Sequence, residues 1–369
     1  MRRCALLLLF GLMLPVSADD VDRLLDAAHQ QLAAGDAAAA ERQFLEVIER
    51  FPGLAEPFDG LATALDAQGR RDEAVRMLLD VGQGLVAAEE IEIGLGYLER
   101  AADWAPEMGE AQAALGHALL QAQRHIEARD AFERALSLGL NAPAARLFLA
   151  SAQWESGDYA AAEATYRALL QERQPNVVAT ARRALGALLV FQGRHADAVP
   201  TLMMAVGDAP ELIEVRFDLA RALEGEGRET EARELYLAIV DQAPDFQQAH
   251  YRLGRLFRKA QETERAAHHL QRFAQLQRDE QQRTQQAGRD EARLKRAWEL
   301  FRAEQFEAAL SQFRTLEMSA DRLRGEAETL RRMGRHDAAI ATLRRLLQAD
   351  PSRSDIRLLI DTWSLETAS

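Results

Sequence analysis

The chain has 369 residues, of which 48% are apolar and 28% are charged, and its formal net charge is −13 at pH 7. A chain of this length and apolar content can bury a large core, and its excess of acidic residues disfavours nucleic acid as a partner. The only cysteine is Cys4, so the chain cannot form an internal disulfide or a cysteine-based metal site.

The first 18 residues are typical of a secretory signal peptide. Two arginines precede an apolar run over residues 5–14, and small residues lead to a cleavage site after Ala18. The apolar run is too short to span a bilayer comfortably. We therefore expect residues 1–18 to be removed and the mature chain, starting at Asp19, to be periplasmic or secreted, with no transmembrane span. Retention of the segment as an N-terminal anchor is the alternative.

From residue 40 onward an alanine recurs within the same local pattern. The alanines are Ala40, Ala74, Ala128, Ala162, Ala198, Ala232, Ala266, Ala309 and Ala339. Five of the eight spacings between them are 34 residues or within two residues of that length. Self-similarity at this period is typical of architectures in which each repeat is a pair of helices.

The clearest copy of the unit covers residues 213–246. Its first helix has an apolar face that includes Leu219 and the small Ala220, and Gly227 suits the left-handed turn that ends a helix. A second helix carries Ala232 on its apolar face and ends before a proline. The two small residues let the helices approach closely, while the larger side chains fill the flanks.

Other copies keep this pattern and place a glycine where the clearest copy has an alanine. These pairs are Leu115-Gly116, Leu185-Gly186 and Leu253-Gly254. Over most of residues 21–353 the chain resembles the tetratricopeptide repeat family, whose unit has large and small apolar residues at fixed offsets, a glycine turn and a closing proline. The resemblance implies an all-α fold, a right-handed superhelical solenoid of stacked antiparallel helix pairs. A helical bundle with accidental periodicity is the alternative.

Two of the other three intervals are much longer than the period. The interval after Ala74 is 54 residues, which predicts a copy with a shortened first helix over residues 82–88. The interval after Ala266 is 43 residues and contains a polar stretch over 277–293. We interpret this stretch as an extension of the preceding helix, broken or frayed near Gly288, that joins two blocks.

These patterns divide the mature chain into three parts. Residues 19–276 form an N-terminal repeat array, 277–293 a polar helical linker, and 294–369 a C-terminal repeat pair with a capping helix. Residues 19–246 carry 20 basic and 40 acidic side chains, whereas 247–369 carry 23 basic and 18 acidic ones. This asymmetry suggests two surfaces with different partners or an internal docking preference, and drift in solvated helix faces is the alternative.

No pattern typical of an active site occurs in the sequence, neither a phosphate-binding glycine loop, nor a Gly-x-Ser-x-Gly elbow, nor a His-Glu-x-x-His pair. His125, His195 and His336 each follow an arginine at the same turn position, and we interpret them as solvent-facing turn residues. His268 and His269 are adjacent on a helix and point in different directions, so they cannot share a metal unaided. We expect no enzymatic activity, no cofactor and no metal.

The resemblance also implies a concave groove, lined by the first helix of each hairpin, in which peptide ligands are held. Carried over to this chain, the groove includes Arg183, Phe191, Phe217, Arg221, Tyr251, Arg252, Arg255 and Arg258. The arginines among them form a basic track, and guanidinium groups suit carboxylates. We therefore predict a protein or peptide partner with an acidic segment. A solvated basic face that offsets nearby acidic residues is the alternative.

Upstream, Leu147, Phe148 and Trp154 would add an apolar section to the groove. Gln153 stands where a core residue is expected, so Trp154 filling the core is the other and favoured interpretation.

Taken together, the repeat, the signal pattern and the lack of catalytic patterns indicate a non-enzymatic protein-binding scaffold of the cell envelope. The alternative is an assembly factor for envelope polysaccharide or cell-wall machinery with direct glycan contact, for which Trp154 and Tyr251 are the candidate stacking residues.

Overall fold

The computed structural model describes residues 18–51, 54–316, 318–351, 353, 356, 357, 359, 360 and 362–364. These described parts are all-α, with 18 helices joined by short turns, further helical residues between 356 and 364, and no strand. The predicted all-α fold of stacked helix pairs is confirmed. The predicted signal peptide lies almost wholly outside the described residues. None of the described helices combines the length and apolar character that crossing a bilayer requires.

The first nine helices are α1 (Ala18–Ala33), α2 (Ala37–Arg50), α3 (Glu56–Ala67), α4 (Arg71–Ala87), α5 (Ile91–Trp104), α6 (Gly109–Gln121), α7 (His125–Ser137), α8 (Pro143–Glu155) and α9 (Tyr159–Leu169). The next nine are α10 (Pro175–Phe191), α11 (His195–Asp208), α12 (Ile213–Gly225), α13 (Glu229–Gln242), α14 (Gln247–Lys259), α15 (Thr263–Arg302), α16 (Phe306–Thr315), α17 (Ala320–Arg332) and α18 (His336–Ala349).

The chain divides into two compact units. The larger comprises Arg23–Glu46 and Ala55–Leu276, and the smaller comprises the described residues of Met1–Asp22, Val47–Leu54 and Gln277–Ser369. Within the larger unit, consecutive helices pack as hairpins, with α6 against α7, α8 against α9, α10 against α11 and α12 against α13. In each of these hairpins the first helix carries the small residue of the repeat, and the second helix carries its recurring alanine.

Close approach within the hairpins depends on the missing side chains of glycine. A Cβ atom added to Gly116 on α6 would lie 3.0 Å from the ring of Phe132 on α7. The same atom on Gly254 of α14 would lie 2.6 Å from Leu270 of α15. The first helix therefore offers a flat patch on which a large side chain of the second helix lies, as the sequence pattern predicts.

Arginines at the turns join neighbouring repeats on their second helices. Arg70, just before α4, lies 2.8 Å from Glu41 of α2, and Arg194, just before α11, lies 2.6 Å from Glu163 of α9. Exposed pairs of this kind contribute little stability one at a time.

Both long intervals arise because a helix continues through an expected turn. The shortened first helix predicted over 82–88 is the C-terminal part of α4, which packs against α5. The two helices cross at paired glycines, since a Cβ atom on Gly94 would lie 2.7 Å from the carbonyl oxygen of Gly82. In the same way α15 begins in one hairpin and ends against α16, where Ala297 is buried with Phe313.

The break that the sequence suggested near Gly288 is wrong, because α15 is one helix of 40 residues that passes through this position. Nothing lies within 4 Å of a Cβ atom added to Gly288. One exposed glycine costs a helix only about 1 kcal/mol, and the residues around it are good helix formers such as Gln, Arg, Glu and Ala. The polar stretch over 277–293 therefore stays helical.

The smaller unit has its own core around α17 and α18. Ile356, Ile360 and Trp363 are buried in this core, and the guanidinium carbon of Arg331 lies 4.8 Å from the centre of the Trp363 ring. The side chains after α18 thus cover the apolar face that the last hairpin would otherwise expose.

The turns inside the hairpins contain a residue in the left-handed conformation. In six turns this residue is glycine, at positions Gly35, Gly69, Gly157, Gly193, Gly227 and Gly334. In four described turns it carries a side chain, and Glu89, Gln123, Gln261 and Glu304 have φ angles between 58° and 67°. A left-handed residue other than glycine is strained by about 1–2 kcal/mol.

We expect the double variant Gln123→Gly/Gln261→Gly to be more stable than the native chain. Each change removes left-handed strain and increases the entropy of the unfolded chain, which leaves a net gain of about 0.5–1 kcal/mol per site. Urea unfolding monitored by circular dichroism measures this gain. Gly193→Gln, which introduces a side chain at an equivalent turn, should lower stability, and a double variant less stable than the native chain would contradict the explanation.

Candidate ligand-binding groove

The eight predicted groove residues lie on three first helices of the larger unit. Arg183 and Phe191 are on α10, Phe217 and Arg221 on α12, and Tyr251, Arg252, Arg255 and Arg258 on α14. We call the exposed surface of α10, α12 and α14 that carries these residues the first-helix face. The structure distributes its arginines between two environments.

On α14, Arg255 and Arg258 are exposed and form no ion pair with any described residue. The guanidinium carbon of Arg255 lies 5.9 Å from the centre of the Tyr251 ring, and this ring packs on Phe273 at 5.3 Å. Two cations and one half-exposed tyrosine therefore remain available to a ligand at this end of the face.

Arg252 has a different environment. Its Nη1 lies 3.4 Å from Oε2 of Glu224 on α12, and the hydroxyl of Tyr236 donates a hydrogen bond of 3.1 Å to the same oxygen. Burial of Tyr236, reinforced by the adjacent Glu224 carboxylate, raises the pKa of its hydroxyl above the ordinary value. Arg252 thus links α14 to α12, and part of its charge is neutralised.

Arg221 is paired within α12. Its Nη1 donates to Oδ1 of Asp218 at 3.1 Å. Burial raises the pKa of the Asp218 carboxyl, and the charges of Arg221 and Arg183 oppose this rise. Arg183 is exposed and forms no ion pair among the described residues. The unpaired cations of the face are therefore Arg183, Arg255 and Arg258.

The predicted aromatic residues also separate into two kinds. Phe217 is half-buried and packs on Tyr236 and Phe246, with ring centres 5.6 and 5.1 Å away. Phe217 therefore packs beneath the exposed surface of the face and is not among its exposed aromatic residues. Phe191 is 58% exposed at the end of α10, and its ring lies 5.2 Å from Tyr159 and 6.3 Å from Trp154.

The interpretation of Trp154 as a core residue holds in part, because its half-buried side chain packs against the core cluster of the larger unit without being enclosed by it. Gln153 occupies the buried position, and its Oε1 accepts a hydrogen bond of 2.9 Å from Thr165 on the next helix. The hydroxyl of Thr165 thus satisfies the buried amide oxygen of Gln153. The neighbouring Trp154 is half-buried, and its ring lies beside Phe191. The two candidate glycan-stacking residues, Trp154 and Tyr251, lie on different helices, α8 and α14.

Sequence reasoning missed a second feature of the same unit, a cavity of about 650 Å³ between the end of α4, α6 and α8, which we call the α4–α8 cavity. It is lined by Gln83, Val86, Ala87, Glu89, Leu98, Glu110, Ala113, Ala114, His117, Gln121, Phe132, Leu140, Ala142, Ala144, Ala145 and Phe148. The signal that could have revealed it is the run of alanines on α6 and α8, which leaves space that larger side chains would fill.

Models of the tetratricopeptide repeat match residues 79–144, 113–178, 149–213 and 294–354, and further models of this repeat match 189–256 and 248–287. The chain belongs to the tetratricopeptide repeat family. The family assignment inferred from the alanine pattern is confirmed, and membership supports a role as a protein-interaction scaffold. No curated protein matches the chain.

Solved structures of other repeat proteins are similar to this chain. PilF of Pseudomonas aeruginosa is 18% identical, with a TM-score of 0.47 and coverage of 57% of this chain and 99% of that one. The MamA RS-1 ArsTM double mutant is 22% identical, with a TM-score of 0.43 and coverage of 47% and 96%. YrrB, described as a TPR protein with an unusual peptide-binding site, is 21% identical, with a TM-score of 0.32 and coverage of 58% and 92%.

The three histidines at the tetratricopeptide repeat turns are not solvent-facing, so that prediction is wrong. His125, His195 and His336 are half-buried, and the Nδ1 atom of each is buried without a hydrogen-bond partner among the described residues. A Cβ atom added to Gly225 of α12 would overlap the ring of His195. The His195 ring therefore packs against the next tetratricopeptide repeat.

A pair of buried histidines links the helices α14 and α15, which form one hairpin of the tetratricopeptide repeat array. His250 Nε2 lies 3.1 Å from the carbonyl oxygen of Pro244, so this nitrogen carries a proton and donates. His250 Nδ1 then accepts from Nδ1 of His269 at 3.0 Å, an arrangement that fits two neutral rings. Burial lowers the pKa of both residues, that of His269 to about 4, with additional lowering by the charges of His250 and His268.

We expect this pair to make the tetratricopeptide repeat chain less stable as the pH falls from about 6.5 towards 4. In the unfolded chain both histidines take up a proton near pH 6.5, whereas the folded pair stays neutral, so acid favours unfolding. His269 alone should account for about 2 kcal/mol at pH 5. Urea unfolding between pH 7 and 5 measures the loss, which the variant His250→Asn/His269→Asn should reduce. Equal losses in both chains would contradict this origin.

Proposed function

We propose that this chain is a non-enzymatic scaffold of the cell envelope that holds a partner protein or peptide against its first-helix face. Membership of the tetratricopeptide repeat family supports the role of interaction scaffold. The observation that carries the finer proposal is the set of unpaired arginines on this face, Arg183, Arg255 and Arg258, in a chain whose net charge is −13.

Carboxylates are the ligand groups that fit these arginines best. A guanidinium group binds a carboxylate through two parallel hydrogen bonds, and the exposed ring of Tyr251 beside Arg255 adds an apolar contact. Residues 19–246 carry 40 acidic and 20 basic side chains, so the unpaired cations of the first-helix face favour binding of an acidic segment at that face over the rest of this region. A segment with several Asp or Glu residues is therefore the partner chemistry that we propose.

The envelope location rests on the signal pattern of residues 1–18. Mass spectrometry of the chain purified from its own cells should give Asp19 as the first residue of the exported form. A chain that retains Met1 and stays in the cytoplasm would contradict this part of the proposal.

Site-specific photocrosslinking tests the binding surface. A photoreactive phenylalanine analogue replaces Tyr251, which is 40% exposed on the first-helix face, or Met203, which is 58% exposed on the second helix α11. We expect a protein adduct in cells from position 251 and none of the same mass from position 203. Identical adducts from both positions, or no adduct from position 251, would contradict binding at this face.

A further inference from the structure

The α4–α8 cavity lies where α4 continues through an expected turn and thereby interrupts the repeat period. A regular first helix would continue the wall formed by the other hairpins. Here its place is taken by the end of α4, which contributes only Gln83, Val86 and Ala87 to the lining.

The interior of the cavity is apolar. Phe132 and Leu98 are 1% exposed and form its inner surface, and alanines of α6 and α8 form much of its walls. Phe148 is 38% exposed, stacks on Phe132 with ring centres 5.8 Å apart, and meets His117 edge-on at 5.0 Å. A half-exposed aromatic ring above an apolar interior is the environment in which anchor side chains of partners are buried.

The charged residues at the cavity are acidic. Its lining includes the carboxylates of Glu89 and Glu110 and contains no lysine or arginine. The arginines nearby in sequence are engaged elsewhere, since Arg124 pairs with Glu127 and Glu99, and Arg146 lies 2.8 Å from Glu172. A ligand that enters the cavity therefore meets negative charge around an apolar interior.

We propose that the α4–α8 cavity receives a large apolar side chain from a partner segment in which lysine or arginine flanks that side chain. The inference rests on the proposed function, because it names the partner chemistry at the other end of the same array of first helices. A cavity of about 650 Å³ has room for such an anchor. The basic flanks complement Glu89 and Glu110 and direct the anchor to this cavity.

The two ends of the array then have opposite charge preferences. The α4–α8 cavity selects a basic-flanked apolar anchor, and the first-helix face of α10, α12 and α14 selects acidic residues. A single extended segment that occupies both must carry its anchor and basic residues at one end and its acidic residues at the other. This arrangement fixes the direction in which the segment lies.

Binding of two short fluorescein-labelled peptides to the full mature chain, followed by anisotropy, tests the inference. One peptide has a phenylalanine between lysines, and the other is rich in glutamate. We expect Ala144→Trp, which fills the cavity from an exposed wall position, to weaken binding of the lysine-flanked peptide at least about tenfold. Glu110→Lys should weaken it about fivefold, whereas Glu133→Lys, exposed on the second helix α7, should change it less than about twofold.

Two changes in the peptide separate the contribution of the apolar anchor from that of its basic flanking residues. Phenylalanine→serine in the peptide should weaken binding about as much as Ala144→Trp does, and replacing its lysines by serines should also weaken it. If Ala144→Trp lowers the melting temperature, Ala113→Leu on α6 provides a smaller cavity-filling change. Equal binding to the filled and native cavities, or no binding of the lysine-flanked peptide, would overturn the inference. A native dimer that Ala144→Trp dissociates would overturn it in favour of a second copy of this chain.

Failure of this inference can be distinguished from failure of the proposed function. If the glutamate-rich peptide binds and loses affinity when Arg183, Arg255 and Arg258 are reversed, while the lysine-flanked peptide does not bind, only the inference about the cavity fails. If neither peptide binds the native chain, both fail.

Discussion

Gly60→Ala should lower the free energy of unfolding by about 2 kcal/mol, although alanine is a better helix former than glycine. A Cβ atom at Gly60 of α3 would overlap the ring of Phe44 on α2. This ring is fully buried and lies 5.1 Å from His29, so it cannot move aside freely. Thermal or urea unfolding of the variant measures the effect.

Gly96→Ala is the matched control for this prediction. Gly96 is an exposed residue inside α5, and nothing lies within 4 Å of a Cβ atom added there. The substitution should therefore raise stability by about 1 kcal/mol through helix propensity alone. A loss of stability in Gly60→Ala together with a gain in Gly96→Ala would support close packing between repeats as a source of stability. A neutral or stabilising Gly60→Ala would contradict it.

Reversing the three unpaired arginines with Arg183→Glu/Arg255→Glu/Arg258→Glu should weaken binding of an acidic partner about 100-fold. Each guanidinium–carboxylate contact contributes about 1 kcal/mol or more, and each reversal adds repulsion. The melting temperature should change little, because these arginines form no ion pair among the described residues. Arg252 is left in place, since its loss would break the contact with Glu224. Anisotropy with the glutamate-rich peptide measures the affinity.

The control is a second triple reversal, Arg278→Glu/Arg289→Glu/Lys295→Glu, on exposed positions of α15. It produces the same change in net charge at residues that do not belong to the first-helix face. We expect it to change the affinity less than about threefold, the effect of net charge alone. A similar loss in both triples would mean that the peptide responds to overall charge and that the groove arginines have no special role.

Most of the fold could be predicted from the spacing of the alanines, because each tetratricopeptide repeat packs mainly on its neighbours and the pattern is local. The spacing could not predict that α4 and α15 continue through expected turns. The sequence around residues 82–88 indicated a shortened helix, but whether a turn precedes it depends on the crossing of Gly82 and Gly94, a contact between α4 and α5. At Gly288 the sequence suggested a break that the structure does not have, because one exposed glycine does not end α15.

The candidate site was less predictable than the fold. Helical spacing identified the arginines of the first-helix face, but only the structure separates Arg221 and Arg252, which have acidic partners, from Arg255 and Arg258, which have none among the described residues. The buried Gln153 was visible in the sequence, but its partner Thr165 lies on the next helix. The α4–α8 cavity depends on space between three helices, which residue types on one helix cannot define.

Hydrogen–deuterium exchange of the chain with and without the partner captured through position 251 tests the central claim most directly. First and second helices are separate segments of sequence, so the experiment distinguishes the two surfaces. We expect slower exchange in α12 over 213–225 and α14 over 247–259, with little change in α13 over 229–242. Protection confined to α11 and α13, with α12 and α14 unchanged, would contradict it.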